Sequence, residues 1–294
     1  MPQAPRIEAA PHDRANVEPQ ILRVAFTPDP DDAFAWWAIA ERKLSIEGVL
    51  LQVETRHIQA INEGCIGGYW DIGAVSSAVW PLIADQYWIL SSGASVGRGY
   101  GPALAALPEF NLAEIASGAL VAVPGELTTG CMLLRLFHPG VKTVALPFDQ
   151  IARAILNGDV AAGVLIHEEL LNWRAAGLVR VECLGERWQR ETGLPIPVGL
   201  NVIHRRLGTR LAEKISALVC ESMHCANQHS DEASAWALKY SRQAEAGIGE
   251  HFIRMFANAD TLCLGEDCRR ALDILYRRAL EHGLIRALPA IEII

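Results

Sequence analysis

The sequence lacks several features that would place it in other classes. Its longest apolar runs fall far short of the ~20 residues a membrane helix needs, so no membrane span is expected. Met1 to Gln20 is rich in Pro and Ala, carries charges and has no apolar core of the kind a secretory leader uses. It is expected to be a disordered lead-in to a cytoplasmic protein. Positive charge is scarce: 26 Lys and Arg stand against 34 Asp and Glu, a net charge of −8, which argues against a nucleic-acid partner. The late cluster Arg269, Arg270, Arg277 and Arg278 has acidic neighbours and reads as a solvated helix face. The seven cysteines are odd in number and scattered, which fits reduced thiols rather than a disulfide framework. Cys220, His224, Cys225 and His229 are metal-ligand types at helical spacing, but no second pair matches them and no metal is expected.

What is present is apolar sequence, 51% of 294 residues, enough to bury one large core or two medium ones. It is arranged as alternating strand-like and helix-like stretches. The most informative runs from Gly158 to Trp173. Gly158-Asp159 is a turn signal, and Val160 to Ile166 suits a strand buried on both faces of a parallel sheet. His167 follows at once, then Glu168-Glu169 in the first turn of a helix whose buried face is Leu170, Leu171 and Trp173. Ligand clefts of open α/β sheets lie at such strand ends, and an imidazole there can move a proton near neutral pH. The plainer alternative is a histidine hydrogen-bonded for structural reasons.

Three other strand ends carry polar groups. Ile21 to Phe26 leads into Thr27-Pro28-Asp29-Pro30-Asp31-Asp32, where prolines stiffen the loop and Asp31 or Asp32 can cap a helix starting near Ala33. Tyr69 to Val75 is followed by Ser76-Ser77, and Ala119 to Val123 by Thr128-Thr129-Gly130. Each hydroxyl pair sits where a helix begins, so it can cap that helix or, with the free backbone N–H groups, hold an anion. Gly93 to Pro102 contains G-x-G-x-G but opens no helix after a first strand, so it reads as a flexible crossing rather than a nucleotide site. Gly193-Leu194-Pro195-Ile196-Pro197 reads as the return crossing, before a strand over Val198 to His204. The expected architecture is α/β and two-lobed. Residues 21–102 and 200–294 form the larger lobe, and 103–199 a smaller lobe inserted in it. The four polar loops then face one interlobe cleft.

Taken in order, Thr27 to Phe34 (TPDPDDAF), Asp71 to Ala78 (DIGAVSSA), Ser91 to Pro102 (SSGASVGRGYGP), Val123 to Leu134 (VPGELTTGCMLL), Ile166 to Glu168 (IHE), Leu184 to Val198 (LGERWQRETGLPIPV) and the segment Leu264 to Leu284 resemble the MqnD-type 1,4-dihydroxy-6-naphthoate synthases of the futalosine route to menaquinone. The resemblance implies a fold like the periplasmic binding proteins, with the active site in the cleft. It implies a carbon–carbon lyase that splits cyclic dehypoxanthine futalosine into the dihydroxynaphthoate and a sugar-derived fragment, with neither metal nor organic cofactor. His167 takes the place of the family's catalytic histidine and would act as general base. Ser76, Ser77, Thr128 and Thr129 fall on its substrate-binding loops, and Asp31 on a further substrate-facing position. Several positions depart from the family's usual pattern. Asp29 stands for Cys, Asp31 for Asn and Ala33 for Thr. Gly73 stands for Lys, Gly130-Cys131 for Ala-Asn, and Leu200-Asn201 for Gly-Ile. An added carboxylate would repel an anionic substrate unless paired or protonated, which opens the way to a shifted substrate.

Two rivals stand beside the lyase. One is a solute-binding or sensing protein that only closes on a small carboxylate. The other is a sister enzyme, such as a chorismate dehydratase, acting on another carboxylated compound. The partner in every case is a small carboxylated molecule. Oligomeric state is not legible in the sequence.

Overall fold

The computed structural model describes residues 18–241 and 247–294. The expected lead-in lies outside these as far as residue 17, and Gln20 already belongs to a strand. Among the described residues the strands are, in chain order, β1 (Gln20–Phe26), β2 (Val49–Thr55), β3 (Ile72–Ser76), β4 (Tyr87–Ile89), β5 (Ser95–Gly97), β6 (Ala103–Ala106), β7 (Leu120–Val123), β8 (Lys142–Ala145), β9 (Ala162–Leu165), β10 (Val179–Cys183) and β11 (Ile196–His204). The first five and the last form one sheet, ordered β2-β1-β3-β11-β4 with β5 also on β11. The other five form a second, ordered β10-β6-β9-β7-β8. The chain therefore leaves the first sheet, builds the second and returns.

Both sheets are mixed for the same reason. The βα repeats pair in parallel, β1 with β2 and β3, and β7 with β8 and β9. The segments that cross between the sheets pair antiparallel, β11 on β3 and β6 on β9. In each sheet the parallel strands thus present their carboxyl ends at one edge. β3 and β9 are buried along their whole length, as a strand covered on both faces must be.

The helices follow local rules. Phe148–Asn157 buries Phe148, Ile151, Ala154 and Ile155, one helical face, and stops at Gly158 with φ +78. The helix expected to begin near Ala33 begins at Pro30 instead, because proline fits the first helical position and Asp29 supplies the extended N-cap backbone. Asp31 and Asp32 therefore lie in its first turn. Pro30 through Ile39 are all buried, and Ala33 to Ile39 pack within the cluster that also holds Ile215, Leu218 and Val219 of the helix Thr209–Gln228. The helix expected after His167 is a single turn, Glu169–Asn172, with no buried residue. No helix among the described residues is long and apolar enough to cross a membrane.

The glycine-rich stretch is not a slack crossing. It contains β5, and its backbone is woven against the second sheet's exit. A Cβ on Gly97 would lie 2.1 Å from Tyr100 O, and one on Gly185 would lie 2.3 Å from the same atom. The glycines there are demanded by close approach.

Candidate active site

The ends of β1, β3, β7 and β9 meet at one cleft. Thr27, Asp29, Asp31 and Asp32 line it after β1, Ser76 at the end of β3, Thr128 to Gly130 after β7, and Ile166-His167 after β9.

His167 is one of two non-glycine described residues with positive φ, at +56. An L side chain pays strain there, and such strain clusters at functional sites. Its Nδ1 lies 2.8 Å from Asp29 Oδ2, contributed by the other sheet's loop. Phe148 meets its ring edge-on, with centroids 4.6 Å apart. Nε2 is buried and has no hydrogen-bond partner among the described residues. Burial alone disfavours the charged ring. The charge of Asp29 and its contact with the ring outweigh that, helped by Glu169 and Asp31, and raise the pKa from 6.5 to about 9. Glu168 is buried beside it, and its Oε1 accepts from Ser241 Oγ at 2.5 Å.

The carboxylates of the β1 loop are buried and close together. Asp31 accepts from Ser95 Oγ at 3.0 Å. Burial, then the like charges of Asp32 and Asp29, hold its pKa well above the ordinary carboxylate range. Asp32 accepts from Thr27 N–H at 3.1 Å and Thr27 Oγ1 at 2.5 Å, which closes the loop. Burial raises it to about 6 despite those bonds.

The hydroxyl-bearing residues divide. Ser76 lines the cleft, with its Oγ accepting from Asn62 Nδ2 at 3.3 Å and its own proton given to no acceptor among the described residues. Ser77 is turned away, fully buried, and donates to Pro197 O at 2.7 Å. It holds β11 against the end of β3 and does not reach the cleft. Thr128 and Thr129 line the cleft, but each hydroxyl proton goes to a carbonyl: Thr128 Oγ1 donates to Gly125 O and Thr129 Oγ1 to Val198 O, both at 2.7 Å. Thr128 Oγ1 also caps the helix Thr129–Phe137 by accepting from Cys131 N–H. What these loops offer an anion is the first-turn amides of Thr129 and Gly130, which no helix satisfies internally.

Three residues here are not found by reading the sequence. Asp29 and Asn201 stand out there only as departures from the family pattern, yet Asp29 holds the histidine. Ser95 and Asn201 also line the cleft. A lone amide inside the apolar run Ile196 to Ile203 is the available signal for Asn201. The four metal-ligand types near residue 225 lie on or just past one helix and do not form a cluster. Among the described residues the one such group is Asp260, Asp267 and Cys268, and Arg98 is already paired to both aspartates.

Two α/β lobes, one inserted in the other and gripping a cleft at their strand ends, define the class: a periplasmic-binding-protein-like fold. An alkanesulfonate-binding protein from Xanthomonas axonopodis pv. citri, bound to MOPS, shares it at a TM-score of 0.71 with 12% identity, over 94% of this chain and 99% of that one. An X-ray structure of a protein from Archaeoglobus fulgidus is nearer, with a TM-score of 0.86 and 37% identity over 90% of this chain and 98% of that one. The family profile described as menaquinone biosynthesis matches residues 22–281. The 1,4-dihydroxy-6-naphthoate synthase of Thermus thermophilus is 32% identical over 274 residues, 92% of this chain and 98% of its own length. That of Streptomyces coelicolor is 32% identical over 273 residues, 91% and 95% respectively. The chain belongs to the menaquinone-biosynthesis family.

Proposed function

We propose that this protein is a 1,4-dihydroxy-6-naphthoate synthase, a carbon–carbon lyase acting on cyclic dehypoxanthine futalosine, with His167 as general base. The lobes of this reading are residues 21–102 with 200–294, and residues 103–199. The observation that carries it is His167 itself: a strained strand-end imidazole in the interlobe cleft, with Nδ1 against Asp29 and Nε2 buried without a partner among the described residues.

The pairing with Asp29 fixes the tautomer, since Nδ1 keeps its proton toward the carboxylate and Nε2 is the nitrogen that accepts. In the step this supports, Nε2 takes a hydroxyl proton of the cyclic sugar-derived part. The O–H electrons become a carbonyl, and the C–C bond pair moves onto the carbon next to the ring ketone, in the retro-aldol sense. The fragment leaves as a carbonyl compound, and the ring enolate takes the proton back from Nε2 and tautomerises to the dihydroxynaphthoate. A pKa raised to about 9 leaves the ring mostly protonated at pH 7 in the free protein. The base therefore strengthens as it becomes scarcer, and turnover gains from rising pH. The aromatic carboxylate of the substrate would lie on Ser76 Oγ and the amides of Thr129 and Gly130, away from Asp31.

The direct test is incubation with cyclic dehypoxanthine futalosine and detection of the naphthoate by mass. Release of the naphthoate supports the reading. Intact substrate, with turnover of chorismate instead, overturns it in favour of the dehydratase.

A further inference from the structure

Asn201 lies in the middle of β11 and is fully buried. Its backbone is committed: Asn201 is in register with Ala74 of β3, and its carbonyl accepts from Leu90 N–H at 2.8 Å. Its side chain is not. Neither Oδ1 nor Nδ2 has a hydrogen-bond partner among the described residues. Buried polar groups are nearly always paired, and an unpaired one is destabilising. Here a whole carboxamide is left open on the floor of the cleft.

The surroundings are built around it. Gly93 passes over the amide so closely that a Cβ would lie 1.9 Å from Asn201 Nδ2, and at φ +89 any other residue there would be strained. Gly199 is two residues back on the same face of β11. A Cβ there would lie 3.6 Å from Ser95 Cβ, and Ser95 carries the hydroxyl that donates to Asp31. Asn201, Ser95 and Asp31 thus make one polar strip along the floor, with no Lys or Arg among the cleft-lining residues.

We propose that Asn201 is a specificity-determining residue that pairs with hydroxyl groups on the sugar-derived half of the substrate, an inference that rests on the function proposed above. A carboxamide offers two donors and one acceptor. A hydroxyl both donates and accepts, and two neighbouring hydroxyls satisfy Oδ1 and Nδ2 together. A carboxylate only accepts, so it would leave Oδ1 unpaired and sit beside Asp31. An aromatic edge offers neither partner. The chemistry of the strip therefore selects the hydroxylated half and turns the aromatic carboxylate toward the helix start at Thr129.

The test compares two ligands, cyclic dehypoxanthine futalosine and 1,4-dihydroxy-6-naphthoate, by calorimetry on the wild type and on Asn201→Leu. Leucine has a similar volume and leaves no buried polar atom unpaired, so the variant is expected to melt no lower than the wild type. The expected result is about a 10- to 100-fold weakening for the futalosine derivative and less than about a 3-fold change for the naphthoate. A second arm needs no variant: the wild type should bind an analogue lacking the sugar-derived hydroxyls with the same loss. Equal weakening of both ligands, or none for either, overturns the assignment while leaving the lyase standing. A wild type that binds neither ligand and turns over neither overturns the proposed function and this inference with it.

Discussion

His167 Nδ1 stands 2.8 Å from Asp29 Oδ2, and the two residues belong to loops that leave different sheets. One contact therefore orients the imidazole and ties the lobes together. It is not the only tie: Ala78 N–H donates to Thr129 Oγ1 at 3.3 Å, and Phe148 N–H to His57 Nε2 at 3.3 Å. Of the three it is the one that pairs two ionisable side chains.

Replacing His167 with Ala is expected to leave a folded protein that still binds ligand, with kcat lower by about two to four orders of magnitude, as for a lost general base. Product formation and circular dichroism check it, and an unchanged kcat would remove the assigned role. Because φ is +56, His167→Gly should melt above His167→Ala, since only glycine adopts that backbone without strain.

The Asp29–His167 pair sets a pH dependence. The base form must lose its proton, so kcat/KM should climb about tenfold per pH unit and level off near 9. Asp29→Asn should move that limb down to about 6.5 or below. Identical profiles for the two proteins would show that Asp29 does not tune the ring. The stability effect has the opposite direction. The folded pKa lies above the unfolded 6.5, so the pair's contribution is complete below 6.5 and is lost as pH rises through about 9. The wild-type melting temperature should fall across that window more than that of Asp29→Asn.

Asp31 is held above the ordinary carboxylate range by burial first and its acidic neighbours second, so its charged form opposes folding. Its effect is absent at low pH and grows as pH rises past its unfolded value of 3.8. Asp31→Asn, whose Oδ1 can still accept from Ser95, should raise the melting temperature at pH 8. The gain should shrink toward pH 4. The variant should also bind the carboxylated substrate more tightly. Weaker binding would mean that Asp31 itself contacts a hydroxyl or a cation on the ligand.

Ser76 and Ser77 should separate cleanly. Ser77→Ala leaves the buried Pro197 carbonyl short of its donor, a loss of about 1–3 kcal/mol, or about 2–4 °C per kcal/mol at this size, with KM unaltered. Ser76→Ala should raise KM and leave the melting temperature nearly unchanged. The reverse pattern would reassign the two hydroxyls.

The framework of the site is legible in the sequence because it is local. An apolar run followed by a turn and a helix start marks a strand end wherever it occurs, and it marks those before Thr27, Ser76, Thr128 and His167. Gly158 announces its helix end for the same reason. The partners of those residues are not legible, because a hydrogen bond between distant segments leaves no trace in local spacing. Nothing beside Ser77 says that its proton goes to Pro197, and nothing beside Asp29 says that it faces His167. β5 and β6 escape detection because Ser95–Gly97 and Ala103–Ala106 are short and poor in β-branched and aromatic residues, so only their pairing with β11 and β9 makes them strands.

The weave at Gly97, Gly101 and Gly185 has a consequence for the whole gap. A Cβ on Gly101 would lie 3.1 Å from Gly185 Cα, so main chain rests directly on main chain where the lobes join. The join between the lobes is thus packed backbone on backbone. Lining side chains that make no tie between the lobes can be exchanged to suit a new molecule without disturbing that join. A single methyl at Gly185 would act as a shim, and should shift the affinity for every ligand together, whatever its chemistry.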